Sequence, residues 1–487
     1  MTAANFAFEV VTSYVNGTWE RPQGCTFGTV TNPATGATIA KVAYADEAGI
    51  DRAVRAAHKA FLKWREVPVV DRVQALYRYK ALLEKHTVDL AGILTRENGK
   101  TAEDARAEVR RAIQMVEVAC GMPSLMMGDS LNDVAHGIDC KTIRQPIGVC
   151  AGITPFNFPA MVPMWMWPFA IACGNTFVLK PSEKVPLTPT RAVQLLDEAG
   201  LPPGVLNLVH GGPQAVDALL RHPLVKAVSF VGSTPVARHI YTTAAAEGKR
   251  VQALGGAKNH LVVMPDADMP KTVEAIIGSA FGGAGQRCLA GSVLVAVAEA
   301  AGPLLDLLVK RTKALAVGDG SQPGIEMCPL VTSGHAERVA GYIGKGVAEG
   351  AAPLVDGREL RINSGGFHLG PTIFDHVTPD MTIAREEIFG PVLSVMRVET
   401  LDEAIQLVNR SPFGNATAIF TTSGKAAREY SSRIEAGMVG INVGVAAPMA
   451  FFPFAGWKNS FFGDLHAHGK DAVAFYTEQK VIMSRWF

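Results

Sequence analysis

The stretch Gly148-Val149-Cys150-Ala151-Gly152-Ile153-Thr154-Pro155-Phe156-Asn157-Phe158-Pro159 decides the fold. Its first six residues form a short apolar run, and the prolines that follow close it as a loop, the pattern of a buried strand. Working outward, β-rich runs at 176–179, 205–209 and 227–231 alternate with helical patterns near 164–173, 190–198, 214–220 and from Pro235. Strand and helix in strict alternation predict right-handed βαβ units on a parallel sheet. A second such series follows. Strands are expected at 260–264, 292–297, 391–398, 416–421 and 438–443, with helices at 303–315, 336–348, 401–408 and 425–434. Upstream, residues 46–125 read as helices, with apolar periodicity in 75–94 and 109–120. Two strand-like pieces, 133–144 and 474–484, belong to neither series and are expected to pair with each other or with another subunit.

A chain of 487 residues exceeds one ordinary core, so two or three domains are expected. Its 46 basic and 45 acidic residues give a formal charge of +1, which offers no global field to nucleic acid or an anionic membrane. Seven scattered cysteines without a Cys-x-x-Cys pair suit a reducing compartment, not a disulfide framework or zinc site. Residues 1–20 carry no apolar leader core. The longest apolar stretch, near 161–173, is too short and proline-broken to span a bilayer. A cytoplasmic protein is expected, with neither membrane nor nucleic acid as partner.

Candidate chemistry sits at the loops. Cys288 follows Gly282-Gly283-Ala284-Gly285, a run that lets the backbone approach another molecule closely, and Arg287 beside it can favour a thiolate. Taken alone, it is either a nucleophile or a small buried hydrophobe. Asn157 lies beyond a strand's carboxyl end, either as a donor to a developing oxyanion or as a turn residue between prolines. Lys180 and Glu183 end the next strand, holding ribose hydroxyls or lying solvated in a loop. Phe230-Val231-Gly232-Ser233-Thr234-Pro235 closes a strand and opens a helix, with Ser233 or Thr234 as N-cap and free amides suited to a pyrophosphate. The full Gly-x-Gly-x-x-Gly fingerprint is missing there; Gly344-Lys345-Gly346 lies inside a helical pattern and is set aside. Arg111 is either on a solvated helix face or, with Arg287, part of a clamp on a carboxylate. His466 and His468 are spaced like a metal pair, but no further cluster supports one; a turn is expected and no metal.

Together these segments resemble the aldehyde dehydrogenase superfamily over nearly the whole chain. Within it they are most similar to the CoA-acylating methylmalonate-semialdehyde (malonate-semialdehyde) dehydrogenases. The resemblance rests on Ile143-Arg144-Gln145-Pro146 running on to Gly152-Ile153-Thr154-Pro155-Phe156-Asn157-Phe158-Pro159-Ala160, and on Lys180-Pro181-Ser182-Glu183. It rests also on Val251-Gln252-Ala253-Leu254-Gly255-Gly256-Ala257-Lys258-Asn259-His260, Glu386-Glu387-Ile388-Phe389-Gly390-Pro391, and the tail Phe462-Gly463-Asp464-Leu465-His466-Ala467-His468-Gly469.

The resemblance implies an α/β fold with a Rossmann-like cofactor domain (1–126 and 146–256) and an α/β catalytic domain carrying the nucleophilic cysteine (257–455). A β oligomerisation extension (127–145 and 456–487) would join a homodimer or homotetramer. It implies Cys288 as nucleophile, with Asn157 and the Cys288 amide as oxyanion hole. NAD would be held by Lys180, Glu183 and Lys184 at the adenosine ribose, Ser233 at the pyrophosphate, and Glu387 at the nicotinamide ribose. Phe389 would pack near the nicotinamide, and Thr154, Phe156 and Gly255 would line the channel. Arg111 and Arg287 would hold a substrate carboxylate. Where relatives keep a general-base glutamate, this chain is read as holding Ala253, so nothing in that slot activates water. A thiol acceptor needs no such base, which points to coenzyme A as co-substrate of a small semialdehyde. Asp464 stands where hydrolytic relatives carry a second candidate glutamate, leaving release of a free acid as the alternative. Glu183 would repel a 2′-phosphate, which favours NAD over NADP. Gln286, Gly255 and the 445–452 stretch depart from the family pattern, the last of them in the shape of the substrate pocket.

Overall fold

The computed structural model describes residues 9–21 and 25–487, so the first eight positions of the 1–20 stretch lie outside the described residues. Val149–Ile153 is the topological centre of an eight-stranded sheet. On one side it pairs in parallel with Thr176–Lys180, which pairs with Leu206–Leu208; on the other lie Val225–Val231 and then Arg250–Leu254. The strand order reverses between Val149–Ile153 and Val225–Val231, the place where open α/β sheets take their ligands. Every residue of Val149–Ile153 and Thr176–Lys180 is buried, because helices cover both faces. Arg250–Leu254 went unread as a strand because Lys249, Arg250 and Gln252 interrupt its apolar run.

A seven-stranded sheet forms the second layer system, in the order Ala352–Val355, Thr372–Asp375, Val392–Val398, Gly291–Val297, Asn259–Val263, Ala416–Phe420, Met438–Ile441. All neighbours are parallel except the first pair. The first two strands, four residues each, are too short for alternation to be legible. The helix Met269–Ala280 was also unread; Asp268 caps it by accepting from the Lys271 amide. The strand-like pieces pair within the chain. Thr477–Arg485 runs antiparallel to Ile138–Pro146 along its full length, and Ser130–Ala135 folds back on the same strand through a turn at Gly137.

Five helices, Glu47–Trp64, Val69–Lys85, Thr87–Asn98, Ala102–Cys120 and the short Met122–Leu125, fill the 46–125 region, so the expected 75–94 run divides at His86. Gly99 ends the third with φ 88°, and its left-handed turn abuts the Pro329 ring. Thr101 starts the fourth by accepting from the Asp104 amide. Lys100 is therefore held at a corner between two caps. The largest apolar cluster, around Tyr79, Trp167 and Phe169, extends to Leu289 in the cysteine loop. No described helix is long and apolar enough to cross a membrane.

Candidate active site

The cysteine loop is shaped by three consecutive left-handed residues, Gly283, Ala284 and Gly285. A Cβ on Gly285 would lie 2.2 Å from the Gly390 carbonyl oxygen, so the glycine lets this loop press against the Glu387–Gly390 segment. Downstream, the Cys288 carbonyl accepts from the Asn259 and Asn415 side-chain amides at 2.9 and 2.8 Å, which pins the backbone of this cysteine. The Cys288 thiol faces a cavity of about 220 Å³ that Lys100, Glu108, Arg111, Arg287 and His468 also line.

Asn157 is buried beside this loop. Its Nδ2 donates to the Gln286 carbonyl at 2.8 Å, leaving one N–H of the amide for another acceptor. Burial, then the Glu387 carboxylate, push the Cys288 thiol up to about 12, while the nearby Cys288 and Leu289 amides and the Lys100 ammonium pull it down. The expectation that Arg287 favours the thiolate is not met. Its guanidinium turns to Asp104 at 2.7 Å instead of to the sulfur. Arg111 donates to the Pro448 carbonyl at 2.6 Å and reaches Met449 Sδ at 2.9 Å, so both guanidinia border the cavity.

The remaining predicted residues gather at the strand ends. Lys180 is buried, with Nζ 3.4 Å from a Glu183 carboxylate oxygen. The Lys184 ammonium lies 5.1 Å from the Phe156 ring centre, and Phe156 meets Phe389 edge-on at 5.8 Å. Phe389 holds φ 60°, with its carbonyl accepting from His335 Nε2 at 2.8 Å. Glu387 accepts from the Ala257 amide at 2.8 Å, and burial raises its carboxyl to about 7. A Cβ on Gly256 would lie 2.3 Å from Glu387 Oε2, so only glycine admits that carboxylate. Ser233 occupies the N-cap of Thr234–Ala246 without a capping bond from its side chain, and the Thr234 hydroxyl instead accepts from the Gly256 amide. Gly255 passes close to the Asn459 carbonyl. Thr154 Oγ1 is buried with no partner, as is Lys258 Nζ, whose pKa burial lowers to about 7.

Ala253 packs with Ile153, Phe230 and Val251 on one side of its strand, whereas Leu254, on the opposite face, belongs to the large apolar cluster. Neither side chain carries a group able to activate water. Asp464, the alternative base, is exposed and does not line the cavity. The carboxylates that do line it, Asp104 and Glu108, are already paired with Arg287 and Lys100.

Lys100, Glu108 and His468 escaped the sequence reading as site residues. His468 was seen only as half of a possible metal pair. In the structure His466 stacks on Phe461 and bonds Asp471, while His468 packs against Trp165 and Phe454. The His468 Nδ1 donates to the Phe452 carbonyl at 2.6 Å, Nε2 has no partner, and burial holds the ring neutral with a pKa of about 4.

A dehydrogenase-type α/β sheet and a cysteine facing a largely apolar cavity edged by charged side chains define the class. The chain belongs to the aldehyde dehydrogenase family, whose model matches residues 19–482, and it is an enzyme of aldehyde oxidation. It is 53% identical over 479 residues to malonate-semialdehyde dehydrogenase 2 of Geobacillus kaustophilus, covering 98% of this chain and 99% of that one. The crystal structure of methylmalonate-semialdehyde dehydrogenase from Oceanimonas doudoroffii matches with a TM-score of 0.97 at 48% identity, over 98% of this chain and 99% of the other. A Sinorhizobium meliloti structure ascribed to the same activity and solved with NAD matches with a TM-score of 0.97 at 45% identity, over 98% of each chain.

Proposed function

We propose that the enzyme oxidises malonate or methylmalonate semialdehyde with NAD and passes the resulting acyl group, after loss of CO2, to coenzyme A. The observation that carries this reading is the Cys288 cavity: two guanidinia border it, and both of its carboxylates are occupied. The relatives' named activities support the semialdehyde, and the NAD-bound neighbour supports the cofactor.

NAD fits the residues present. The Thr234–Ala246 helix opens at the topological switch point with its first amides uncapped by a side chain, which suits a pyrophosphate. Thr154 Oγ1 is a buried hydroxyl awaiting a polar partner, and Glu387 is admitted beside Gly256. Lys180 and Glu183, with Lys184, would hold the adenosine ribose, Ser233 the pyrophosphate, and Glu387 the nicotinamide ribose. Phe389, Phe156, Thr154 and Gly255 would line the channel. When bound, NAD supplies the hydride acceptor. In this scheme the Cys288 sulfur adds to the aldehyde carbon, and the free Asn157 N–H stabilises the alkoxide. Oxidation leaves a thioester on Cys288. Its carbonyl lies β to the substrate carboxylate and accepts the electron pair released as CO2 departs. Arg111 and Arg287 would orient that carboxylate, Arg287 by exchanging Asp104 for it. A thiol then displaces the cysteine without a base that must deprotonate water.

Domain roles follow the sheets in this reading. Residues 1–126 and 146–256 would bind the cofactor, 257–455 would carry the chemistry, and 127–145 with 456–487 would bridge subunits. Leu131, Val481 and Met483 are exposed on the extension, which supports a homodimer or homotetramer.

NADH formation at saturating semialdehyde is expected to require CoA, with acetyl-CoA or propionyl-CoA identified by mass. Rapid CoA-independent turnover to a free acid would overturn the proposal. Arg111→Met is expected to lower kcat/KM for malonate semialdehyde about a hundredfold, the worth of a charge-assisted bond, while propanal changes less than about threefold. Equal losses on both aldehydes would remove Arg111 from carboxylate recognition.

A further inference from the structure

Lys100 is a lysine with almost no freedom. It is 4% exposed, fixed between the Gly99 turn and the Thr101 cap, and its ammonium meets three neighbours. It donates to Glu108 and, at 2.5 Å, to the Asn157 carbonyl, and it sits 3.7 Å from the Phe158 ring centre. Glu108, 3% exposed, uses its other oxygen to accept from the Ala160 and Met161 amides at 2.8 and 3.1 Å. One ion pair thus grips the loop carrying Asn157 from both ends, on the wall of the cavity that holds Cys288.

The groups around the thiol divide by charge and commitment. Arg287 is neutralised by Asp104, Arg111 is bonded to Pro448, and His468 is neutral. Glu387, from the facing segment, disfavours the thiolate, and Lys100 opposes it. A buried charge acts through a low dielectric, so even a paired ammonium on the wall of the same cavity keeps a net effect on the thiol.

We propose that Lys100 is the positioning residue of this site: it sets the acidity of the Cys288 thiol and holds Asn157 for the oxyanion, with Glu108 moderating its charge. The proposal rests on Cys288 being the nucleophile.

The test is the rate of Cys288 carbamidomethylation by iodoacetamide at pH 9, with the modified peptide assigned by mass, in the full-length enzyme. Below the thiol's pKa this rate falls tenfold for each unit by which that pKa rises. Lys100→Met leaves Glu108 buried without its counter-charge and is expected to slow alkylation about thirtyfold. Lys100→Met/Glu108→Gln removes both charges while the glutamine oxygen still accepts the loop amides, and it is expected to recover in part, remaining about two- to fivefold slower than wild type. In both, kcat for NADH formation falls with KM for aldehyde nearly unchanged. A purely structural pair would make the double variant the slower of the two, and that order overturns the proposal. Should Lys100→Met not fold, the double variant decides: alkylation as fast as wild type also overturns it. Alkylation reads the thiol directly, so survival of aldehyde oxidation in Cys288→Ala would sink the functional reading without touching this order.

Discussion

Cys288→Ala is expected to remove NADH formation almost entirely, by about 10⁴-fold or more, since the covalent route has no substitute nucleophile. Cys120, Cys150, Cys173 and Cys328 are buried, Cys25 and Cys140 are partly buried, and none of the six lines the cavity. Position, not acidity, separates them, since burial raises the Cys173 and Cys328 thiols to about 12 as it does that of Cys288, and none of the six is placed to replace it. The substitution removes the sulfur of one half-buried residue and leaves the Cys288 carbonyl bonds to Asn259 and Asn415 in place. Stability should therefore change by less than about 1 kcal/mol. The measurement pairs NADH absorbance with calorimetric NAD binding. Retained binding with lost oxidation is the expected result, and more than about one per cent residual activity would displace Cys288 from its role.

The second large effect is a change of acyl acceptor. Leu254 and Ala253 are adjacent and both buried, yet their side chains leave the strand in opposite directions. Ala253→Glu sets a carboxyl in the slot where the family resemblance implies the general base, and burial there would raise its pKa toward neutrality, the range of an effective base. CoA-independent NADH turnover, with free acid as product, is expected to rise about a hundredfold. Leu254→Glu forces a carboxyl into the large apolar cluster on the strand's other face. It is expected to cost about 3 kcal/mol or more and to lower Tm, with no gain in hydrolysis. Chromatographic separation of acid from thioester distinguishes the two. A gain from Leu254→Glu and none from Ala253→Glu would show that the base slot has been misassigned.

Much of the frame was legible because burial on both faces writes itself into composition. Val149–Ile153 is an unbroken apolar run, Thr176–Lys180 and Gly291–Val297 are apolar except near their ends, and each is legible within a few residues. Arg250–Leu254 was lost to its polar interruptions, and Ala352–Val355 and Thr372–Asp375 to brevity. At the site, Cys288, Arg111 and Arg287 do share one cavity, as their types suggested. The neighbours that set their electrostatics were not visible. Nothing local separates Lys100 from any other lysine after a glycine, or His468 from a turn histidine.

Residue type and order by themselves determined the alternating α/β architecture, the loops at the strand ends and the family, and they singled out the candidate nucleophile. These depend on periodicity and on short segments whose meaning is carried along the chain. Tertiary structure alone decided which way each group points and what it is paired with. It turned Arg287 to Asp104, set Ala253 and Leu254 in different apolar clusters, and brought Lys100 beside Asn157 across fifty-seven residues. Coulombic and packing energies depend on distance in space, and separation along the chain does not encode that distance.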